Sequence, residues 1–239
     1  MTIAVDPVIA PEDSTAAGSA ETSPISLAIE DLAVRIGGLV ILERMNLSVP
    51  KGKIVSLIGP NGAGKTTAFN IITGYMKPSA GTVRFEGRSL LDMTPDAIAA
   101  LGLVRTFQRT SIFAGCSVTD NILTAMHLRG RAGLFSAIFR TPSMLREEVS
   151  LRAQVQEILH FVGLHGRAGE NAGSLAYGEQ RLLGLAIALA ARPKLLLLDE
   201  PAAGLNPSET ERFKELVRRI RDDGVTVLLV EHDMHMVMS

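Results

Sequence analysis

The 239-residue sequence predicts an α/β fold whose parallel sheet is interrupted by a helical subdomain. Three observations support this prediction. Short apolar runs alternate with helical segments, as strands and helices do around a parallel sheet. The runs at 53–58 and 194–198 are apolar along most of their length, which is typical of strands buried on both faces. Residues from about 109 to 172 lack this alternation and show only helical signals.

The first half of the chain contains five strand-like runs: 27–34, 47–49, 53–58, 83–86 and 103–107. A helix is predicted from the loop at Gly64 to Gly74, because glycine is a common helix stop. Thr94 and Pro95 predict a short helix by their N-cap and first-turn preferences. These elements predict the first part of an α/β core.

In the helical stretch, Ser117 and Asp120 form a capping-box pattern ahead of a helix at 121–128. A second helical pattern extends to about residue 162. The alternation then returns with four elements: a helix at 178–191, a strand at 194–198, a helix after Asn206 and a strand at 225–230. The second helix of these has Asn206 and Glu209 at its N-cap and N3 positions.

Composition divides the chain into a tail and one domain. Residues 1–24 have too little apolar periodicity to offset the entropy of ordering, so we expect a disordered tail. Residues 25–239 form the domain. Within it, we expect 25–108 and 174–239 to form the catalytic core and 109–173 to form the helical subdomain.

Charge and hydropathy limit the possible classes of protein. A net charge of −1 gives no overall field that attracts nucleic acid or anionic lipid. No apolar run approaches the ~20 residues that a membrane span requires. The N-terminus lacks the basic and apolar regions of a secretory signal, and the single cysteine, Cys116, cannot form an internal disulfide. These features favour a cytosolic location.

A glycine-rich loop between a strand and a helix matches G-x-x-x-x-G-K-[ST] in full. Its residues are Gly59, Pro60, Asn61, Gly62, Ala63, Gly64, Lys65 and Thr66. Backbone N–H groups of such a loop, with the helix N-terminus, bind a β-phosphate. We expect Lys65 to reach the β- and γ-phosphates and act in catalysis, Thr66 to bind Mg²⁺, and Thr67 to contact the α-phosphate. The loop therefore predicts ATP and Mg²⁺ as cofactors.

Asp199 and Glu200 follow the buried strand at 194–198. Ligands of open parallel sheets bind at the carboxyl ends of the strands. Asp199 suits the Mg²⁺ shell, and Glu200 is placed to polarise the water that attacks the γ-phosphate. An acidic pair alone can be a solvated strand end, but beside a phosphate loop it indicates ATP hydrolysis.

Four further segments resemble motifs of the ABC transporter ATPases and occur in that family's order. They are 175–181 for the signature sequence, Gln108 for the Q-loop, 203–206 for the D-loop and His232 for the switch histidine. The resemblance covers about residues 27–238. It implies a P-loop NTPase core of the RecA-like type, with the family's antiparallel β subdomain and inserted α-helical subdomain.

In that family two ATPase domains meet head to tail, and each ATP lies between one P-loop and the partner's signature motif. The resemblance therefore implies nucleotide contacts from Ala176, Tyr177, Gly178 and Glu179. It implies that Gln108 contacts the γ-phosphate and Mg²⁺. It also implies that His232 hydrogen-bonds the γ-phosphate and acts in catalysis.

Two positions depart from the family pattern. Ala176 lacks the hydroxyl of the usual signature serine, which removes an interfacial hydrogen bond worth roughly 0.5–3 kcal/mol. Ile36 stands where an aromatic residue usually contacts adenine. We therefore expect ATP hydrolysis to be retained and the base to be held less specifically.

The wording of the motifs most resembles the ATPase subunit of branched-chain amino-acid importers. This resemblance implies a heterodimer with a second ABC ATPase, two transmembrane permease subunits and, indirectly, a periplasmic solute-binding protein, with no nucleic acid. The chain would be peripheral at the cytoplasmic face of the inner membrane, with its permease contact near Gln108, Phe113 and Val118. Since relatives continue past the switch histidine, we expect a truncated C-terminus.

Alternative functions remain open at this point. One is the ATPase of a related importer of urea, amides or other amino acids, and another is that of a lipid or polysaccharide exporter. A more remote one is a soluble ABC protein acting on the ribosome or on DNA. Such proteins usually have two cassettes or a long coiled-coil insertion, whereas this sequence has one cassette, no sustained heptads and no basic patch.

Overall fold

The computed structural model describes residues 8–9, 24–60, 62–106, 112–127 and 142–231, without the side chains of 8–9, 127 and 142–147. The chain divides into two compact units. The core unit comprises Met1–Gln108, Lys194–Gly204 and Thr210–Ser239, and the helical unit comprises Arg109–Pro193 and Leu205–Glu209. Within the described ranges, no helix is long and apolar enough to cross a membrane.

The strands all belong to the core unit and are numbered in chain order. They are β1 Val8–Ile9, β2 Ile25–Ile36, β3 Leu39–Pro50, β4 Ile54–Ile58, β5 Ala80–Phe85, β6 Arg88–Ser89, β7 Leu103–Thr106, β8 Leu195–Asp199 and β9 Thr226–Glu231. The helices are α1 Lys65–Ile72, α2 Pro95–Ala100, α3 Val118–His127, α4 Pro142–Val162, α5 Tyr177–Ala190 and α6 Pro207–Asp222. Short 3₁₀ turns occupy His165–Arg167 and Ala172–Ser174.

A five-stranded sheet in the order β1-β4-β9-β8-β7 forms the centre of the core unit. Its last four strands are parallel, and their register pairs Ile58 with Glu231 and Val230 with Asp199. All five residues of β8 are buried, as the continuous apolar run predicted. The carboxyl ends of these strands therefore lie together at one edge of the sheet.

A second sheet, in the order β3-β2-β5-β6, is antiparallel throughout. Together with the parallel sheet and the helices, it confirms the predicted fold class. Strands β2 and β3 are longer than predicted because they continue to a tight turn at Gly37 and Gly38. Both glycines have positive φ (56° and 86°), the conformation that favours a two-residue hairpin turn.

One apolar cluster in the core unit joins β2, β3 and β5 to β4 and to helix α1. Phe69 and Ile72 of α1 are fully buried in it. This packing fixes the helix that follows the glycine-rich loop, and so fixes the position of the loop itself.

The helical unit consists mainly of α3, α4 and α5, which pack on one another. The predicted cap of α3 is present: the Asp120 N–H donates to Ser117 Oγ at 3.0 Å. We expected the core to resume at residue 174, but the helical unit extends to Pro193. The reason is that α5 presents a largely buried apolar surface that packs against α3 and α4.

Strand β1 lies inside the segment that we expected to be disordered. Val8 and Ile9 pair antiparallel with Ser56 and Val55 of β4. β-branched residues suit a strand, and here they cover the edge of β4 with which no other described strand pairs. The expectation for residues 1–7 and 10–23 lies outside the described residues.

Candidate nucleotide-binding site

Two of the predicted motifs and the end of a third strand lie at the same edge of the parallel sheet. The glycine-rich loop follows β4, Asp199 and Glu200 stand at the end of β8, and β9 ends at Glu231. The register of the strands thus brings the loop and the acidic pair to one side of the core unit. Asn61, Gln108 and His232 lie outside the described residues, each next to a described residue or shortly after a described strand.

The loop conformation depends on its glycines. Gly62 and Gly64 have φ of 83° and 80°, in the left-handed region that glycine tolerates. A Cβ at Gly64 would also lie 2.5 Å from Leu42 Cδ2, closer than any real contact allows. The glycine at this position is therefore required by both backbone conformation and space.

Lys65 is the first residue of α1 and is 8% exposed. Its Nζ donates to the carbonyl oxygens of Gly59 at 2.5 Å and Pro60 at 2.8 Å. The ammonium is thus held against the loop beside the N-terminus of α1. The fixed positive charge and the helix dipole add together there, which is the electrostatic condition for binding a phosphate.

Asp199 forms a buried ion pair that sequence reasoning missed. Arg105 Nη2 lies 2.6 Å from Asp199 Oδ2, and the two side chains are 6% and 5% exposed. Arg105 Nη1 also donates to Asn70 Oδ1 at 2.7 Å. The signal in the sequence is a charged residue within the strand-like run 103–107, since a buried charge requires a partner.

Glu200 has a φ of 47°, which is unusual for a residue with a side chain. Its N–H donates to the Val230 carbonyl at 3.1 Å, and its carbonyl accepts from the Ala203 N–H at 3.1 Å. These bonds hold the chain in a sharp turn directly after the strand. Strained backbone of this kind is common at functional sites.

Glu231 is a second group that the sequence did not identify. It ends β9, is 1% exposed, and accepts a hydrogen bond from the Ala202 N–H at 3.4 Å. The residue that precedes the D-loop segment is thereby linked to the end of β9. A strand that ends in glutamate gives no sequence signal for such a link.

The signature segment lies in the helical unit, where α5 begins. In place of a serine cap, the Ala176 N–H donates to the Glu179 carboxylate at 3.1 Å. Arg167 donates to Glu179 at 3.1 Å and to Glu170 at 2.8 Å. The pKa of Arg167 is raised, chiefly by the hydrogen bond to Glu170 and, to a smaller extent, by the negative charges of Glu170 and Glu179. The helix N-terminus is therefore capped by its own third residue.

Two neighbouring residues of the signature segment, Tyr177 and Gly178, have close neighbours within the helical unit. The hydroxyl of Tyr177, which is half exposed, accepts hydrogen bonds from Arg181 at 3.0 Å and 2.6 Å. A Cβ at Gly178 would overlap the carboxylate of Glu209. That carboxylate accepts from the Asn206 N–H at 2.9 Å and so completes the predicted cap of α6. A side chain at position 178 would therefore displace the Glu209 carboxylate from its cap on α6.

The residues of the core unit fit Mg²⁺ as a cofactor. Thr66 and Asp199 supply the hydroxyl and carboxylate oxygens that Mg²⁺ prefers. Across the described ranges, no group of three or more His, Cys, Asp and Glu residues is placed to hold a metal ion.

A glycine-rich phosphate loop at the carboxyl edge of a parallel sheet, with an acidic pair at a neighbouring strand end, defines a P-loop nucleotide-binding protein. Residues 42–203 match the ABC transporter family. The chain belongs to this family.

Relatives and solved structures agree with that assignment. The chain is 43% identical over 214 residues to the high-affinity branched-chain amino acid transport ATP-binding protein LivG of Escherichia coli (strain K12), covering 89% of this chain and 84% of the relative. It is 42% identical, with the same coverage, to BraF of Pseudomonas aeruginosa. The ADP conformation of MJ1267, an ATP-binding cassette of an ABC transporter, matches with a TM-score of 0.77 at 30% identity, over 90% of this chain and 84% of that chain.

Ile36 is 54% exposed at the end of β2, directly opposite Leu39, which is 66% exposed. The pair offers an aliphatic surface without an aromatic face. Because this aliphatic surface offers no group that recognises one base over the other, we expect GTP to be hydrolysed within about tenfold of ATP. A tenfold preference corresponds to a free-energy difference of only ~1.4 kcal/mol. Ile36→Tyr should bind both nucleotides more tightly through stacking and leave their ratio nearly unchanged, because every purine presents an aromatic face. Competition kinetics with the two nucleotides test this; a wild-type preference above about a hundredfold would show that another group recognises adenine.

Proposed function

We propose that this chain is the ATP-binding and ATP-hydrolysing subunit that powers import of branched-chain amino acids through a membrane permease. The main support is the arrangement of the P-loop, Asp199 and Glu200 at one sheet edge, in a chain 43% identical to LivG. The site explains ATP hydrolysis, and the similarity to LivG and BraF supports the choice of solute.

Each group of the core unit has a distinct role in hydrolysis. The backbone N–H groups of the glycine-rich loop at 59–66, apart from Pro60, which has none, bind the β- and γ-phosphates together with the Lys65 ammonium. Thr66 and Asp199 hold Mg²⁺, which neutralises charge on the phosphate oxygens when bound. Glu200 orients and polarises the attacking water, because a general base must lie beside the γ-phosphate and off the metal.

Other roles follow from the family. Gln108 contacts the γ-phosphate and the metal, and His232 hydrogen-bonds the γ-phosphate as charge develops in the transition state. Ile36 contacts the adenine, and Thr67 the α-phosphate. The N-terminus of α5 presents residues 176–179 to the ATP of a partner ATPase, where the helix dipole favours the γ-phosphate.

The assembly contains a second ABC ATPase and two permease subunits, with a periplasmic binding protein that selects the solute. The chain is peripheral at the cytoplasmic face of the membrane. Its permease contact includes Phe113, which is 58% exposed. The buried Asn121 fixes this loop by accepting from the Phe113 N–H at 2.7 Å and donating to its carbonyl at 3.1 Å. Val118, expected in the same contact, is fully buried in the helical unit and packs in its core.

We expect Phe113→Asp to abolish association with the permease and to leave nucleotide binding unchanged. A charged side chain in place of the Phe113 ring disfavours burial in an apolar groove of the permease. The backbone contacts between residue 113 and Asn121 remain. Co-purification of the tagged chain with its membrane partners measures the effect. Tyr75→Asp, at another exposed aromatic residue of 60% exposure, is the matched control and should bind normally.

The composition of the purified complex also tests the assignment to an importer. We expect a permease with many transmembrane helices and a second ABC ATPase. Recovery of a permease bearing a jelly-roll arm would instead indicate lipid or polysaccharide export. If the Phe113→Asp chain recovers as much permease as wild type does, the permease contact lies elsewhere on the helical unit.

A further inference from the structure

We propose that Arg105 is an internal counter-ion that occupies the carboxylate of Asp199 until Mg²⁺ replaces it. This inference rests on the proposed role of Asp199 as a Mg²⁺ residue. It assigns a function to an arginine that lies on β7, outside every motif of the nucleotide site.

The geometry of the cluster supports an exchange of partners. Arg105 uses its two terminal nitrogens for different groups: Nη2 for Asp199 Oδ2 at 2.6 Å and Nη1 for Asn70 Oδ1 at 2.7 Å. Its guanidinium carbon also lies 5.4 Å from the centre of the Phe69 ring. Arg105 therefore keeps an amide acceptor and an aromatic face if it releases Asp199.

Burial explains why a counter-ion is needed. Asp199 is 4% exposed and lies at the end of a strand that is buried along its whole length. An unpaired carboxylate at such a position is strongly unfavourable. Arginine remains protonated throughout the physiological range, so it provides a permanent positive charge. The pair thus stabilises the site without metal and makes Asp199 a poor ligand for a cation that arrives without ATP.

When MgATP binds, the phosphates bring additional negative charge to the P-loop. The electrostatic attraction at the Asp199 carboxylate then favours the divalent ion over Arg105. Arg105 keeps its contacts with Asn70 and with the Phe69 ring. Because Arg105 acts through Asp199, it is a positioning residue. Its removal should leave a carboxylate that accepts Mg²⁺ in the absence of nucleotide.

The test is thermal unfolding of the nucleotide-free full chain with and without Mg²⁺. Arg105→Met fills a similar volume without charge, and we expect it to melt below wild type in metal-free buffer. About 10 mM Mg²⁺ should raise its melting temperature by roughly 3 °C or more, the effect of a ligand near ten times its Kd. Wild type and Arg105→Lys, which keep the positive charge, should shift by less than about 1 °C at equal ionic strength.

Two further variants serve as controls. Arg105→Met combined with Asp199→Asn should lose the response to Mg²⁺, because the carboxylate is gone. Arg152→Met removes an arginine from an exposed pair with Glu148 at 3.0 Å and should show no response. If Arg105→Met does not fold without metal, its refolding yield should recover in Mg²⁺, and a yield that stays unchanged at about 10 mM overturns the proposal.

A folded Arg105→Met protein that does not respond to Mg²⁺ would reduce Arg105 to a structural role and overturn the proposal. An equal response from wild type would do the same. The proposed function is judged separately: it stands if wild-type turnover requires Mg²⁺ and Asp199→Asn abolishes it. If turnover needs neither, the assignment of the site itself fails.

Discussion

Glu200→Gln is expected to retain ATP binding and to lose at least about 100-fold in turnover, the usual contribution of a general base. The amide keeps the size and hydrogen-bonding oxygen of the side chain but cannot polarise the attacking water. Glutamine also tolerates the φ of 47° at this position about as well as glutamate, so the turn after β8 should remain intact. With its partner ATPase present, the variant should accumulate as an ATP-bound dimer.

Phosphate release gives the turnover rate, and size-exclusion chromatography with ATP detects the trapped dimer. Glu86→Gln is a matched control, because Glu86 also has a φ of 47° and carries its charge at the surface near Lys194, 2.9 Å away. It should hydrolyse ATP at nearly the wild-type rate. Turnover by Glu200→Gln within a few-fold of wild type would remove Glu200 from the role of general base.

The sequence was sufficient to predict the parts of the fold that depend on local patterns. The apolar run of β8 and the glycine-rich loop before α1 define the parallel core, and both occur where predicted. The caps at Ser117 and Asn206 were also predictable, because each pairs a short polar residue with an acidic one three positions later. Capping depends on neighbours in the chain, so no tertiary information is required.

Features that depend on tertiary packing were missed. Residues Arg105 and Asp199 are far apart in the chain, and only the pairing of β7 with β8 brings them together. The assignment of α5 to the helical unit likewise depends on which helices bury its apolar face. Val118 illustrates the same limit, because an apolar residue near a predicted contact surface can equally belong to the core.

Strand β1 shows a different reason for failure. The segment 1–24 has the composition of a disordered chain, yet Val8 and Ile9 pair with β4. Composition averages over a whole segment, while two β-branched residues are enough to pair with an open strand edge.

Uptake of labelled leucine tests the central claim most directly. The chain should be reconstituted in liposomes with its partner ATPase, permease subunits and solute-binding protein. With ATP at the face that holds the chain, we expect leucine to accumulate, unlabelled isoleucine and valine to compete, and urea to have no effect. The Glu200→Gln assembly should show uptake near background. Accumulation of leucine that is independent of ATP, or uptake of urea in place of leucine, would contradict this account.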